Sequence, residues 1–197
     1  MRYPIDAPCD VNARHADDPR IRSSGILLSC DSTQVYLDAL SALGSKLNGG
    51  PYNAPGACEV YYIAPNAEVA LRETQAVDPS GVPKRITPLT LFTIDVELQY
   101  IVDLTNDAAL RALNLSAASI THEWRAAASA GTTPITHEIG TSARRADVEA
   151  LLYPSARVRG AANLAVIVDR LRVGSTLRIN PAEGFGPGTP IVVHGTR

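Results

Sequence analysis

Methionine and tryptophan each occur once in this chain of 197 residues, phenylalanine twice and cysteine three times. Cys9, Cys30 and Cys58 are an odd set without paired metal-ligand spacing, which argues against a disulfide framework or a zinc site and fits reduced thiols in a cytoplasmic protein. There is no large excess charge of either sign: the net charge of −2 gives no support for a general electrostatic affinity for nucleic acid or an anionic membrane, and leaves room only for a small local basic patch. No apolar run is long enough to span a bilayer, and the opening MRYPIDAPCDVNAR lacks the apolar stretch of a secretory signal. No internal repeat or low-complexity tract interrupts the chain. With 45% apolar and 19% charged residues, it is long enough to fold around one substantial core.

The most informative stretch is EVYYIAPNAEVALRET, Glu59 to Thr74. Its first six residues are rich in β-branched and aromatic side chains, as in a buried strand. Pro65 and Asn66 stop that strand, and Asn66 is a good N-cap. Ala67, Ala70, Leu71 and Thr74 share one face of a helix predicted over Ala67 to Val77. Glu73 then falls about two turns along, facing either water beside Arg72 or a cleft. Upstream lies a turn-rich loop, Gly49-Gly-Pro-Tyr-Asn-Ala-Pro-Gly56. Loop, strand and acid-bearing helix together suggest one wall of a small-molecule site.

Residues 1–24 read as an irregular, charged, proline-bearing arm, and residues 25–197 as one domain. Gly25 to Cys30 reads as a strand and Thr33 to Leu47 as a helix closed by Gly49-Gly50. After a proline-rich connection over 78–88, Leu89 to Val96 and Gln99 to Leu104 read as strands or one bent strand. Thr105-Asn-Asp107 caps a short helix to Leu113, Ser116 to Ala130 is an alanine-rich helix, and Thr133-Pro134 starts another that runs to about Arg145. Strands follow over 150–156, 163–168, 171–180 and 191–194. With strands at both ends and helices between, the class is α+β: one compact domain of mixed and antiparallel sheet flanked by helices.

Three segments carry a resemblance to the RES-domain family, named for a shared arginine, glutamate and serine. Gly49–Gly56 resembles its glycine–asparagine loop. Tyr62-Ile-Ala64 followed by Glu73 resembles its tyrosine strand and glutamate helix. Leu151-Leu-Tyr-Pro-Ser-Ala-Arg157, with Asn163 opening an apolar strand, resembles its serine turn. The likeness runs over about residues 30–180, and Trp124 and Pro134 to His137 also stand where the family has counterparts.

The resemblance implies an ADP-ribosyltransferase-like fold. It also implies a toxin that cleaves NAD⁺ at the nicotinamide–ribose bond and passes ADP-ribose to a protein, phosphate or water. The implied partner is a helical antitoxin that covers the cleft. At two positions where the family carries arginine, this chain has Pro51 and Asp31-Ser32. A binding module that has lost catalysis is therefore the alternative reading. The cation that meets the dinucleotide phosphates is then left to Lys46, Arg20, Arg22, Arg157 or Arg159.

Breaking a bond to a cationic leaving group builds positive charge on the ribose, and a fixed carboxylate stabilises it. Glu73 is the candidate catalytic acid. Ser155 is the second catalytic candidate, a hydroxyl able to bond nicotinamide or ribose, or else its own turn. Tyr62, rather than Tyr61, is the candidate ring for nicotinamide, because neighbours on a strand point opposite ways. Both tyrosines serve equally well as core. Tyr52, Asn53, Lys46, Arg22 and Arg157 complete the candidate NAD⁺-binding set, with Asn53 also fit simply to hold the loop. No metal is expected: His122 has no second or third ligand at metal spacing.

Overall fold

The computed structural model describes residues 21–29, 41–74, 90–121, 124–180 and 191–197. Eight strands form one hydrogen-bonded ladder. In chain order they are β1 (Ile21–Ser29), β2 (Val60–Ala64), β3 (Thr90–Leu98), β4 (Ile101–Asp103), β5 (Ala150–Pro154), β6 (Ala162–Ile167), β7 (Thr176–Asn180) and β8 (Ile191–His194). Their spatial order is β4-β5-β6-β2-β1-β3-β7-β8. β4 and β5 run parallel, and the other neighbours are antiparallel. The α+β class expected from the sequence is the one found.

The ladder cannot be flat. Four strands lie between β3 and β4, which would set them about 24 Å apart at ordinary strand spacing. Only Gln99 and Tyr100 connect them, a link of about 11 Å at most. The sheet therefore curls until its β3 side meets its β4–β5 side. Inside the curl lies one apolar cluster, with Tyr61, Ile63, Ile94, Leu98, Leu152, Val166, Leu177 and Ile179. Alternate residues of the same strands, Val60, Leu151, Tyr153, Ala165 and Ile167, point the other way into a second cluster. Helices cover that outer face through Leu110, Ile120 and Ala143.

The helices are α1 (Leu43–Asn48), α2 (Ala67–Glu73), α3 (Asp107–Ala112), α4 (Ala117–Thr121), α5 (Trp124–Ser129) and α6 (Ile135–Arg145). Asn66 caps α2 as expected, its side chain accepting from the Val69 N–H at 3.0 Å. α2 nevertheless stops at Glu73 rather than reaching Val77. Thr74 closes it, its hydroxyl donating to the carbonyls of Ala70 and Leu71. Glu73 is thus the last helical residue, at the lip of the element.

Other boundaries moved as well. β1 begins at Ile21, four residues inside the stretch read as an arm, because 21–29 pairs along its length with β3. The strand expected from Leu171 starts only at Thr176, since Val168–Arg170 forms a 3₁₀ turn and Ser175 bonds back to the Arg172 carbonyl. The helix predicted from Thr33 is described only as α1, and the alanine-rich helix as α4 and α5. Residues 1–20, 30–40, 75–89, 122–123 and 181–190 lie outside the described set. No helix among the described residues is long and apolar enough to cross a membrane.

Candidate active site

The curled sheet brings β5, β6 and β2 side by side, and residues one strand apart on the helical face meet there. Tyr153 on β5 pairs with Asn163 on β6, and Ala165 of β6 pairs with Tyr62 on β2. α2 follows β2 through a two-residue turn and delivers Glu73 to the same place. Ser155 arrives at the end of β5, where Pro154 leads the chain into a turn.

The three polar groups converge. Ser155 Oγ donates to Glu73 Oε1 at 2.6 Å, and Asn163 Nδ2 donates to the same oxygen at 2.7 Å. Ser155 Oγ in turn accepts the backbone N–H of Arg157 at 3.1 Å and of Val158 at 2.8 Å. A hydroxyl has one proton and two lone pairs, so Ser155 is fully engaged. Glu73 is not. Both of its hydrogen bonds fall on Oε1, and Oε2 takes none among the described residues. Arg72, the neighbour that would have made Glu73 an ordinary surface acid, pairs instead with Glu68 at 3.1 Å.

Glu73 borders a cavity of about 350 Å³, within the usual range of small-molecule sites. Its lining includes Gly50, Pro51, Tyr52, Tyr62, Trp124, Arg125, Tyr153, Arg157 and Asn163. Ser155 sits just behind, its neighbours Pro154 and Ala156 on the wall.

The opposite wall is the glycine loop, and it is held from behind. The Tyr62 hydroxyl donates to Asn53 Oδ1 at 2.6 Å and accepts the Tyr52 N–H at 2.9 Å. Asn53 Nδ2 donates to the carbonyls of Ser45, at 2.7 Å, and Cys58, at 3.1 Å. A Cβ on Gly50 would overlap the Tyr62 ring, so only glycine lets the loop lie against it. A Cβ on Gly140 would likewise run into the Tyr52 carbonyl, which is how α6 approaches the loop. His137 Nε2 lies 2.9 Å from the Gly50 carbonyl, a structural tie rather than a base. Burial pushes the phenols of Tyr52, Tyr62 and Tyr153 above the ordinary tyrosine range, so all three stay protonated near neutrality.

The sequence-predicted residues therefore separate into two groups. Glu73, Tyr62, Tyr52 and Arg157 line one cavity, with Ser155 directly behind the acid. Tyr61 faces the inner cluster, which resolves the choice between the two tyrosines. Asn53 is fully engaged inside the loop. Lys46 is turned to Glu59, at 3.8 Å, and does not border the cavity. Arg22 lies on β1 opposite Glu97, with its side chain outside the described set. Asn163 as a partner of Glu73 and Arg125 as a wall residue went unnoticed in the sequence. Asn163 had a signal, since a lone amide at an otherwise apolar strand position needs a polar partner.

A sheet curled on itself with helices on its outer face, and one carboxylate exposed to a cavity at its edge, defines an α+β protein with an acid-bearing pocket. The RES domain model matches residues 29–184, more than half of the chain, and the protein belongs to the RES domain family. Among solved structures, it is similar to a chain of the crystal structure of the M. tuberculosis MbcT–MbcA toxin–antitoxin complex. The TM-score is 0.60 at 22% identity, covering 89% of this chain and 87% of that one. That likeness supports the same fold. No curated protein matches.

Proposed function

We propose that this protein is the toxin of a toxin–antitoxin pair and that it consumes NAD⁺ at the Glu73 pocket. The observation that carries the reading is the division of labour on one carboxylate. Oε1 is held by Ser155 and Asn163, Oε2 has no donor among the described residues, and Glu73 borders the cavity. Rupture of the nicotinamide–ribose bond sends its electron pair to the departing pyridine nitrogen, which leaves as neutral nicotinamide. The ribose carbon is left electron-poor. An oxygen already oriented toward it stabilises that charge without reorganising, and can accept a ribose hydroxyl. Water, phosphate or a nucleophile on a protein then forms the new bond, completing ADP-ribose transfer.

In this account Glu73 is the catalytic residue. Ser155 and Asn163 position it, because Ser155 has no proton left for nicotinamide. Tyr62 and Tyr52 supply the aromatic wall. An antitoxin partner is supported by the toxin–antitoxin complex to which the fold is similar; that it is helical and covers the pocket mouth is what the family resemblance implies. A second reading, a binding module without catalysis, draws on Pro51, an uncharged residue on the cavity wall where the family resemblance places arginine.

Incubating the purified chain with NAD⁺ and following nicotinamide release separates the two. The toxin reading expects release by wild type and its loss in Glu73→Ala. Absence of release at high protein concentration, with any antitoxin removed, would leave only the binding module. Adding phosphate or candidate proteins and identifying the ADP-ribosylated product assigns the acceptor.

A further inference from the structure

Among the described residues, three charged side chains border the cavity: Glu73, Arg157 and Arg125. The glycine loop contributes none, and Lys46 is directed to Glu59. The two arginines differ in placement. Arg157 belongs to the Ser155 turn, next to Glu73. Arg125 comes from α5, in a part of the wall built by helices.

Arg125 is also held by a stack. Its guanidinium carbon lies 4.5 Å from the centre of the Trp124 ring. Trp124 packs against His137, with ring centres 5.6 Å apart, and His137 is tied to the Gly50 carbonyl at 2.9 Å. Loop, α6 and α5 are thereby linked into one support that ends in a cation. A guanidinium resting on an indole gains cation–π attraction and loses little further freedom on binding. Its N–H groups lie in the guanidinium plane, where phosphate oxygens are met in pairs.

We propose that Arg125 is the phosphate-binding residue of this pocket, and that through it the site selects ligands bearing a diphosphate. The proposal rests on the Glu73 pocket being a nucleotide site and names the group that reads the part of the ligand remote from the bond broken. Trp124 is then a positioning residue, acting through Arg125.

The test measures binding of the full-length chain by calorimetry to ADP-ribose, to nicotinamide riboside, which has no phosphate, and to inorganic pyrophosphate. Arg125→Ala is expected to weaken ADP-ribose and pyrophosphate by roughly 10- to 100-fold, the scale of a lost charge-assisted hydrogen bond. Nicotinamide riboside should be unaffected. Arg125→Lys should recover only part of the loss, because lysine lacks the paired donors. Arg125 is exposed, so neither substitution threatens the core. ADP-ribose binding by Arg125→Ala equal to wild type would overturn the assignment, even if wild type cleaves NAD⁺. Conversely, Arg125-dependent pyrophosphate binding in a wild-type protein that releases no nicotinamide would uphold Arg125 and overturn the catalytic reading. If wild type binds neither pyrophosphate nor ADP-ribose, both fail.

Discussion

Two glutamates at opposite ends of β5 differ in how far the fold has answered their charge. Glu149, just before β5, has no exposure at all. Its Oε2 accepts the N–H groups of Gln99 at 2.6 Å and Tyr100 at 2.7 Å, and its Oε1 accepts that of Arg172 at 2.8 Å. Both oxygens have donors, and all three are backbone. Glu73, by contrast, receives two side-chain donors on a single oxygen, takes none on the other among the described residues, and borders a cavity. A carboxylate whose donors are complete belongs to the architecture. One held firmly on one oxygen and open on the other is prepared to meet a ligand.

The position of Glu149 shows what it does. The two-residue link between β3 and β4 is where the curled sheet meets itself, and Glu149 grips both residues of that link. The third bond fastens the chain on its way into β7. Replacing it by alanine would deprive three part-buried backbone N–H groups of their acceptor at once. The expected loss is about 3–5 kcal/mol of stability, read as a fall in the urea midpoint or as failure to fold. Glu73→Gln should show the reverse pattern. Its stability should stay within about 1 kcal/mol of wild type, while nicotinamide release falls by about 10²–10³-fold. If Glu149→Ala unfolded no more easily than Glu73→Gln, the distinction between the two sites would be lost.

Asn163 offers a finer cut through the same comparison. It donates to Glu73 but is itself 3% exposed and lies on a central strand. Asn163→Ala leaves Ser155 as the sole donor to Oε1, so the acid is retained but less firmly aimed. The expected outcome is a kcat lowered about 10-fold with KM for NAD⁺ nearly unchanged, since misplacement of a catalytic group slows chemistry more than binding. Made on a Glu73→Ala background, the same substitution should cost no further activity. A rise in KM with kcat intact would instead make Asn163 a direct ligand of NAD⁺.

How much of this was legible in the sequence follows the range of each interaction. The Asn66 cap, the β2 strand and the start of α6 at Thr133-Pro134 depend on neighbours in the chain, and all were readable. Glu73, Tyr62 and Ser155 were singled out with help from a family pattern, and the geometry joins them at one pocket. The clamp at Glu149 was invisible because its donors lie 23 to 50 residues away and are backbone groups, which leave no residue-type signal. Arg125 was hidden in an alanine-rich helix, where nothing marks an arginine as facing a cavity rather than water. Lys46 and Asn53 were chosen for closeness to the glycine loop. Closeness along the chain did not say which way the lysine points, nor that the asparagine's donors and acceptor would be satisfied by Ser45, Cys58 and Tyr62.

A third carboxylate extends the series to the surface. Asp169, in the 3₁₀ turn after β6, accepts from Arg144 Nε at 3.0 Å and stands near Arg170 at 3.8 Å. Partial burial pushes its carboxyl upward, but the Arg144 hydrogen bond and charge, with help from Arg170 and Arg197, outweigh that and leave it below the usual range. A carboxyl lowered by folding stabilises the native state at pH values above its unfolded pKa of about 3.9, and that contribution is lost as pH falls through the lower folded value. Asp169→Asn should therefore cost less than about 1 kcal/mol at pH 7, as exposed pairs do. The gap between variant and wild type should close as the medium is taken below the folded pKa. Urea midpoints at neutral and acid pH measure it. A gap that widened in acid would mean that Asp169 is held by packing and not by charge, and would move it toward the class of Glu149.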